Sequence, residues 1–119
     1  DGYIHGLPVP FLGQPSSAVV GPATFAKKFG SPVVPIFTSR KPEGGHIVHI
    51  LPPLHYNNSG DDDVDMYTLT EECVRVTEDF IREHPDEWIW FQHRWMTKMS
   101  EIVDYDKKLE IRERAHEKQ

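Results

Sequence analysis

Every one of the eight glycines in this 119-residue chain lies at or before Gly60, and nine of the ten prolines lie at or before Pro53. Glycine and proline in a helix interior cost about 1 and 3 kcal/mol relative to alanine. The first half is therefore confined to turns, extended chain and short helices, while the second half is free to form long ones. This division predicts a mixed α/β fold. Charge divides at the same place. Residues 1–60 hold four bases (Lys27, Lys28, Arg40, Lys41) against two acids (Asp1, Glu43), a balance of +2. The remaining nine bases and seventeen acids give −8, for a total of −6. Such a balance excludes a general nucleic-acid binder, which needs a basic surface. The lone Cys73 excludes a disulfide framework or a cysteine-rich zinc module.

Leu7-Pro8-Val9-Pro10-Phe11-Leu12 must be extended, but its prolines lack the donors of a central strand. Gly21, Pro22 and Gly30 bracket a helix over 22–29, with Phe25, Ala26 and Phe29 on its apolar face and Lys27 and Lys28 pointing elsewhere. Val33 to Ser39 reads as a strand buried on both faces and His46 to Leu51 as a second. The Arg40–Gly45 linker joins them as an antiparallel hairpin. Met66, Leu69, Cys73, Val76 and Phe80 recur at helical spacing, predicting a helix over 65–83 with Thr68 and Glu71 as a capping box. Pro85 closes that helix and opens another carrying Trp88, Ile89, Trp90, Phe91 and Trp95. Glu101–Glu117 is a charge-rich helical tail with a thin Ile102, Tyr105, Leu109 stripe.

Few of these residues carry chemistry by pattern alone. His46 and His49, three apart on a strand, point to opposite faces and cannot chelate one ion. Asp61, Asp63, Asp65 and Glu72 imitate a calcium loop, but Met66 stands where the sharp turn needs glycine. A solvated acidic linker that caps the next helix is the better account. The serines lack a nucleophile-elbow context, and Cys73 reads as a small core hydrophobe. The Gly21-Pro22 helix start reads as an ordinary cap rather than an anion site. Arg40 and Lys41 end a strand, where either a binding site or a solvated turn can form. Part of the Trp88, Trp90, Phe91, Trp95 set must be core, and the rest suits core or a membrane interface.

Three stretches together resemble one family. They are Val9-Pro10-Phe11-Leu12-Gly13 with Gly21-Pro22-Ala23 and Phe25-Ala26; Pro32-Val33-Val34-Pro35-Ile36-Phe37 with Arg40-Lys41-Pro42 and Pro52-Pro53-Leu54; and His84-Pro85-Asp86-Glu87-Trp88-Ile89-Trp90 with Arg94-Trp95. In order and spacing they are similar to the bacterial lipid A biosynthesis (lauroyl/myristoyl) acyltransferases over residues 7–97. The departures are Gln92 where that family has histidine and Met96 where it has lysine.

The resemblance implies the C-terminal part of a glycerol-phosphate-acyltransferase-like α/β fold, here a β-hairpin with packed helices. It implies a parent enzyme that moves a fatty acyl chain from acyl carrier protein to a hydroxyl of a lipid A precursor, without a cofactor, at the cytoplasmic face of the bacterial inner membrane. Residues 1–99 would belong to the acyltransferase domain and 100–119 to the charged tail. The family's catalytic motif is a histidine with an acid five positions on, and no histidine of this chain has one. The catalytic pair is accordingly expected upstream of Asp1, and the chain alone is expected to be inactive and prone to self-association. No catalytic or metal-binding residue is assigned within it. Arg40, Lys41 and Arg94 are the expected contacts to substrate phosphate. Two alternatives stay open: a non-enzymatic soluble binding domain, and an acyltransferase for another membrane lipid.

Overall fold

The computed structural model describes residues 1–88 and 94–117. Among these, two short antiparallel strand pairs and three α-helices make up a mixed α/β fold. A 3₁₀ turn, Tyr3–His5, leads into β1 (Leu7–Pro8), which pairs with β2 (Ser17–Ala18). Two-residue pairing is what the prolines permit. Beyond it Phe11 and Gln14 exchange backbone hydrogen bonds across a tight turn in which Leu12 takes a φ of 51°. The Leu12 N–H donates to Glu78 Oε2 at 2.7 Å, so a side chain from a distant helix fixes this left-handed residue.

Helix α1 (Gly21–Phe29) starts with Pro22 in its first turn and stops at Gly30, whose φ of 66° suits glycine. Its bounds match expectation; its orientation does not. Ala23 and Ala26 are 1% and 2% exposed and pack with Leu69, whereas Phe25 and Phe29 are 63% and 60% exposed. Small side chains let α1 lie close on its neighbour, and that closeness turns the phenylalanines outward.

Strands β3 (Ile36–Arg40) and β4 (His46–Ile50) form the predicted hairpin, with Ile36 opposite Ile50 and Arg40 opposite His46. The Lys41–Gly45 turn closes with Lys41 N–H donating to Gly45 O at 2.9 Å, and Gly44 and Gly45 both have positive φ. The strand is not buried on both faces, as its run of apolar residues suggested. Ser39 is buried and Phe37 half-buried, but Ile36, Val48 and Ile50 are exposed. Among the described residues only one face has a helix against it: Phe37 stacks on Phe80 with ring centroids 4.5 Å apart.

Helix α2 (Asp62–Glu83) is the axis of the molecule. It starts earlier than the Thr68–Glu71 box, because Asp61 Oδ1 accepts from Val64 N–H at 3.2 Å. The predicted Met66–Phe80 stripe lies towards α1 and the hairpin. A second stripe, Val64, Tyr67, Val74 and Ile81, joins the main core with Leu7, Val9 and Phe11. Pro85–Glu87 is a single 3₁₀ turn and Trp88 is extended, rather than the start of a new α-helix. The chain there turns back towards the Phe11 turn, and an extended Trp88 reaches its ring. Ile89, Trp90, Phe91, Gln92 and His93 lie outside the described residues. Helix α3 (Tyr105–Glu117) returns along α2 and buries Ile111 and Ala115; the expected Tyr105 and Leu109 are only half-buried.

Candidate active-site cleft

Phe11 is the point on which the site is built. It is 1% exposed, and its ring centroid lies 5.6 Å from those of both Trp88 and Trp95. Trp95 Nε1 donates to Phe11 O at 3.2 Å, which fixes that indole. Arg94 stacks on the remaining surface, with Cζ 4.4 Å from the Phe11 centroid. Its Nη1 donates to Ser16 Oγ and to Ser17 O. Burial pulls the Arg94 pKa below its ordinary value, and the Glu78 carboxylate opposes that pull. The guanidinium still stays charged. The two buried serines that sequence analysis set aside thus hold an arginine rather than act as nucleophiles.

Arg94 opens into a cleft of about 160 Å³ between the Phe11 segment, the start of α1 and the middle of α2. Phe11, Ala18, Ala23, Val74 and Trp88 give it an apolar wall, and Thr70 and Thr77 line it too. Both threonine hydroxyls donate back to helix carbonyls, Met66 O and Cys73 O. Cys73 also lines the cleft, and burial pushes its thiol pKa up, so the thiol is poorly nucleophilic. The arrangement offers one fixed cation at the edge of an apolar slot. That suits a ligand with an anionic group beside hydrocarbon.

Arg40 and Lys41 lie elsewhere, at the tip of the hairpin. The Arg40 backbone N–H donates to Glu87 Oε1 at 2.8 Å, and its Nε lies 3.3 Å from the same oxygen. Its Nη2 is 3.8 Å from Asp86 Oδ2. The Arg40 N–H and guanidinium hold the Glu87 carboxyl below its usual range. Lys41 is exposed on the turn. Among the described residues no hydrogen bond or ion pair joins either residue to Arg94.

A hollow of about 240 Å³ under the hairpin includes Thr77 and Trp88, which also line the Arg94 cleft. Beside it sits a pair that sequence reading missed: Ser39 Oγ lies 2.7 Å from His49 Nε2. Once the Lys41–Gly45 turn fixes the register, these two residues become diagonal neighbours on one face. His49 in turn lies 5.4 Å from the His84 ring and edge-on to Phe80. Asp65, from the acidic run, is buried and accepts from both the N–H and Oγ of Ser59, which ties down the preceding loop.

No helix among the described residues is long and apolar enough to cross a membrane. Residues 2–97 match a family model described as bacterial lipid A biosynthesis acyltransferase. No curated protein and no solved structure matches the chain.

Proposed function

Since the chain belongs to the bacterial lipid A biosynthesis acyltransferases, we propose that its parent enzyme moves a fatty acyl chain from acyl carrier protein to a hydroxyl of a lipid A precursor at the cytoplasmic face of the inner membrane. The match over residues 2–97 carries this reading. In such a transfer the acceptor hydroxyl gives its proton to a general base, its oxygen attacks the thioester carbonyl, and the carrier thiolate leaves. None of the seven histidines here has an acid five residues on. The base and its partner are therefore assigned to sequence outside this chain. The chain's own part is to hold the acceptor.

Arg94 is the residue best suited to that part. A guanidinium pinned on Phe11 and hydrogen-bonded to Ser16 and Ser17 is preorganised to meet a phosphate as a planar fork. Arg40 and Lys41 supply a second cationic contact at the hairpin tip. Arg40 would reach it by turning its guanidinium away from Asp86 and Glu87. The exposed Ile36, Val48 and Ile50 face supports self-association of the isolated chain.

The test compares a phosphorylated acceptor with its dephosphorylated counterpart in the parent enzyme. Arg94→Ala should lower kcat/KM for the phosphorylated acceptor about ten- to a hundredfold, mostly through KM, and leave the dephosphorylated one far less affected. Equal losses on both acceptors would reduce Arg94 to a structural residue. The 119-residue chain alone should show no transfer above buffer.

A further inference from the structure

Helix α1 is built inside out. Its two smallest side chains, Ala23 and Ala26, face the core, while its two largest, Phe25 and Phe29, face water. Their rings stack on each other with centroids 5.8 Å apart and an interplanar angle of 24°, so they form one apolar ridge. Single exposed apolar residues are ordinary, but a paired aromatic ridge on a helix already satisfied on its other side is not explained by the core. Exposed Val19 lies just before the helix.

The charge around the ridge selects what covers it. Lys27 and Lys28 both lie in the last turn of α1, in a chain of net charge −6. Lys27 Nζ is 3.4 Å from Asp62 Oδ2, an exposed pair. Lys28 has no carboxylate partner among the described residues, and its Nζ lies 5.3 Å from the Phe29 centroid. An amine next to an exposed aromatic ridge matches an anionic lipid surface, where rings enter the interface and ammonium groups meet phosphates. A protein partner would have to be acidic and apolar at one spot. Ridge on ridge, a second copy would set Lys27 and Lys28 against the same two lysines.

We propose that α1 is a membrane-docking ridge: Phe25 and Phe29 enter the interface of an anionic bilayer, and Lys28, with Lys27, engages its headgroup phosphates. This goes beyond the acyl-transfer reading and does not depend on it. Vesicle binding can fail while transfer by the parent stands, and the converse also holds.

The experiment is sedimentation of the 119-residue chain with vesicles of pure phosphatidylcholine and with vesicles of equal parts phosphatidylethanolamine and phosphatidylglycerol. Binding is expected to the second and to be weak on the first. Phe25→Ser with Phe29→Ser should lower the partition coefficient at least about tenfold, since both rings lose their apolar burial in the interface. Lys28→Glu should lower it about fivefold or more, each basic residue near such a surface being worth about 1 kcal/mol. Asp62→Asn should strengthen binding by releasing Lys27. Thermal melts of all variants check that they fold, because every altered side chain is exposed. The proposal is overturned if the wild type binds neither vesicle, or both alike. It is also overturned if the serine variant binds as the wild type does. A dimer seen by light scattering without lipid and abolished by the serine variant would overturn it in favour of a second copy.

Discussion

Tyr67 offers the sharpest test of the core. It is 0% exposed, and its phenol donates to Pro8 O at 3.1 Å, linking α2 to the proline-bound strand β1. Burial first, and then the Glu71 carboxylate, raise its pKa above the ordinary value, with Arg112 opposing. Tyr67→Phe removes the hydroxyl and almost no volume. At neutral pH it should cost about 1–2 kcal/mol, the value of a hydrogen bond whose buried acceptor loses a donor. For a domain of this size that is a fall in Tm of about 4–8 °C.

The pH dependence is the more telling part. A phenol whose pKa is raised on folding contributes its full stability below the unfolded value of about 10. Above that pH the unfolded chain ionises first, and the folded state loses about 1.4 kcal/mol per pH unit until the folded phenol also titrates. Phenylalanine has no such loss. Urea melts of both proteins from neutral pH to about pH 11 should therefore show the wild-type advantage shrinking above pH 10 and vanishing near about pH 11. Other groups cancel in the difference. An advantage that stays constant with pH would refute the buried, neutral, hydrogen-bonded phenol.

Other positions give simpler readouts. Arg94→Ala should lower the Tm of the isolated chain by about 8–15 °C, because it removes a desolvated cation–π contact and leaves buried Ser16 without its donor; a shift under about 2 °C would count against the stack. Asp61→Ala removes the α2 cap and the Arg114 partner at 3.3 Å, and chemical denaturation should register about 1 kcal/mol. Gly6→Ala places a methyl on Ser17 Oγ and 2.7 Å from Ala18 O, so circular dichroism should show at least about 2 kcal/mol lost, while the same change at exposed Gly21 meets nothing within 4 Å.

Local chemistry made much of this fold legible. Pro22 and Gly30 gave the bounds of α1, and Gly44 and Gly45 gave the hairpin turn, because these residues act on their own backbone. Which way an element faces was less legible. Periodicity put Phe25 and Phe29 inward because they are large and apolar, yet close approach to Leu69 selected the alanines. The apolar run at Val33–Phe37 suggested two covered faces, but a two-stranded sheet against one helix has only one cover. The candidate cleft was least legible of all. Arg94 could be singled out, but its grip on Phe11, Ser16 and Ser17 joins residues 77 or more positions apart, and no spacing rule reaches that far.

The segment leading into the first strand is also held by α3 and the chain that runs into it. Thr97 N–H and Oγ1 donate to the Asp1 carboxylate, Val103 N–H donates to Ile4 O, and Lys108 Nζ donates to Gly6 O across 102 positions. Ile111 and Ala115 complete the cluster that buries Leu7, Val9 and Phe11. A ribosome makes the chain from the other end. At about 5–20 residues per second, the Leu7–Phe11 segment waits about 5–20 s for the helix that covers it. During that wait α2 and the two tryptophans cover only part of these three apolar side chains, and a nascent-chain chaperone has something to hold. A stop codon just before α3 would make the interval permanent, so the damage from losing the last helix would surface at the first dozen residues.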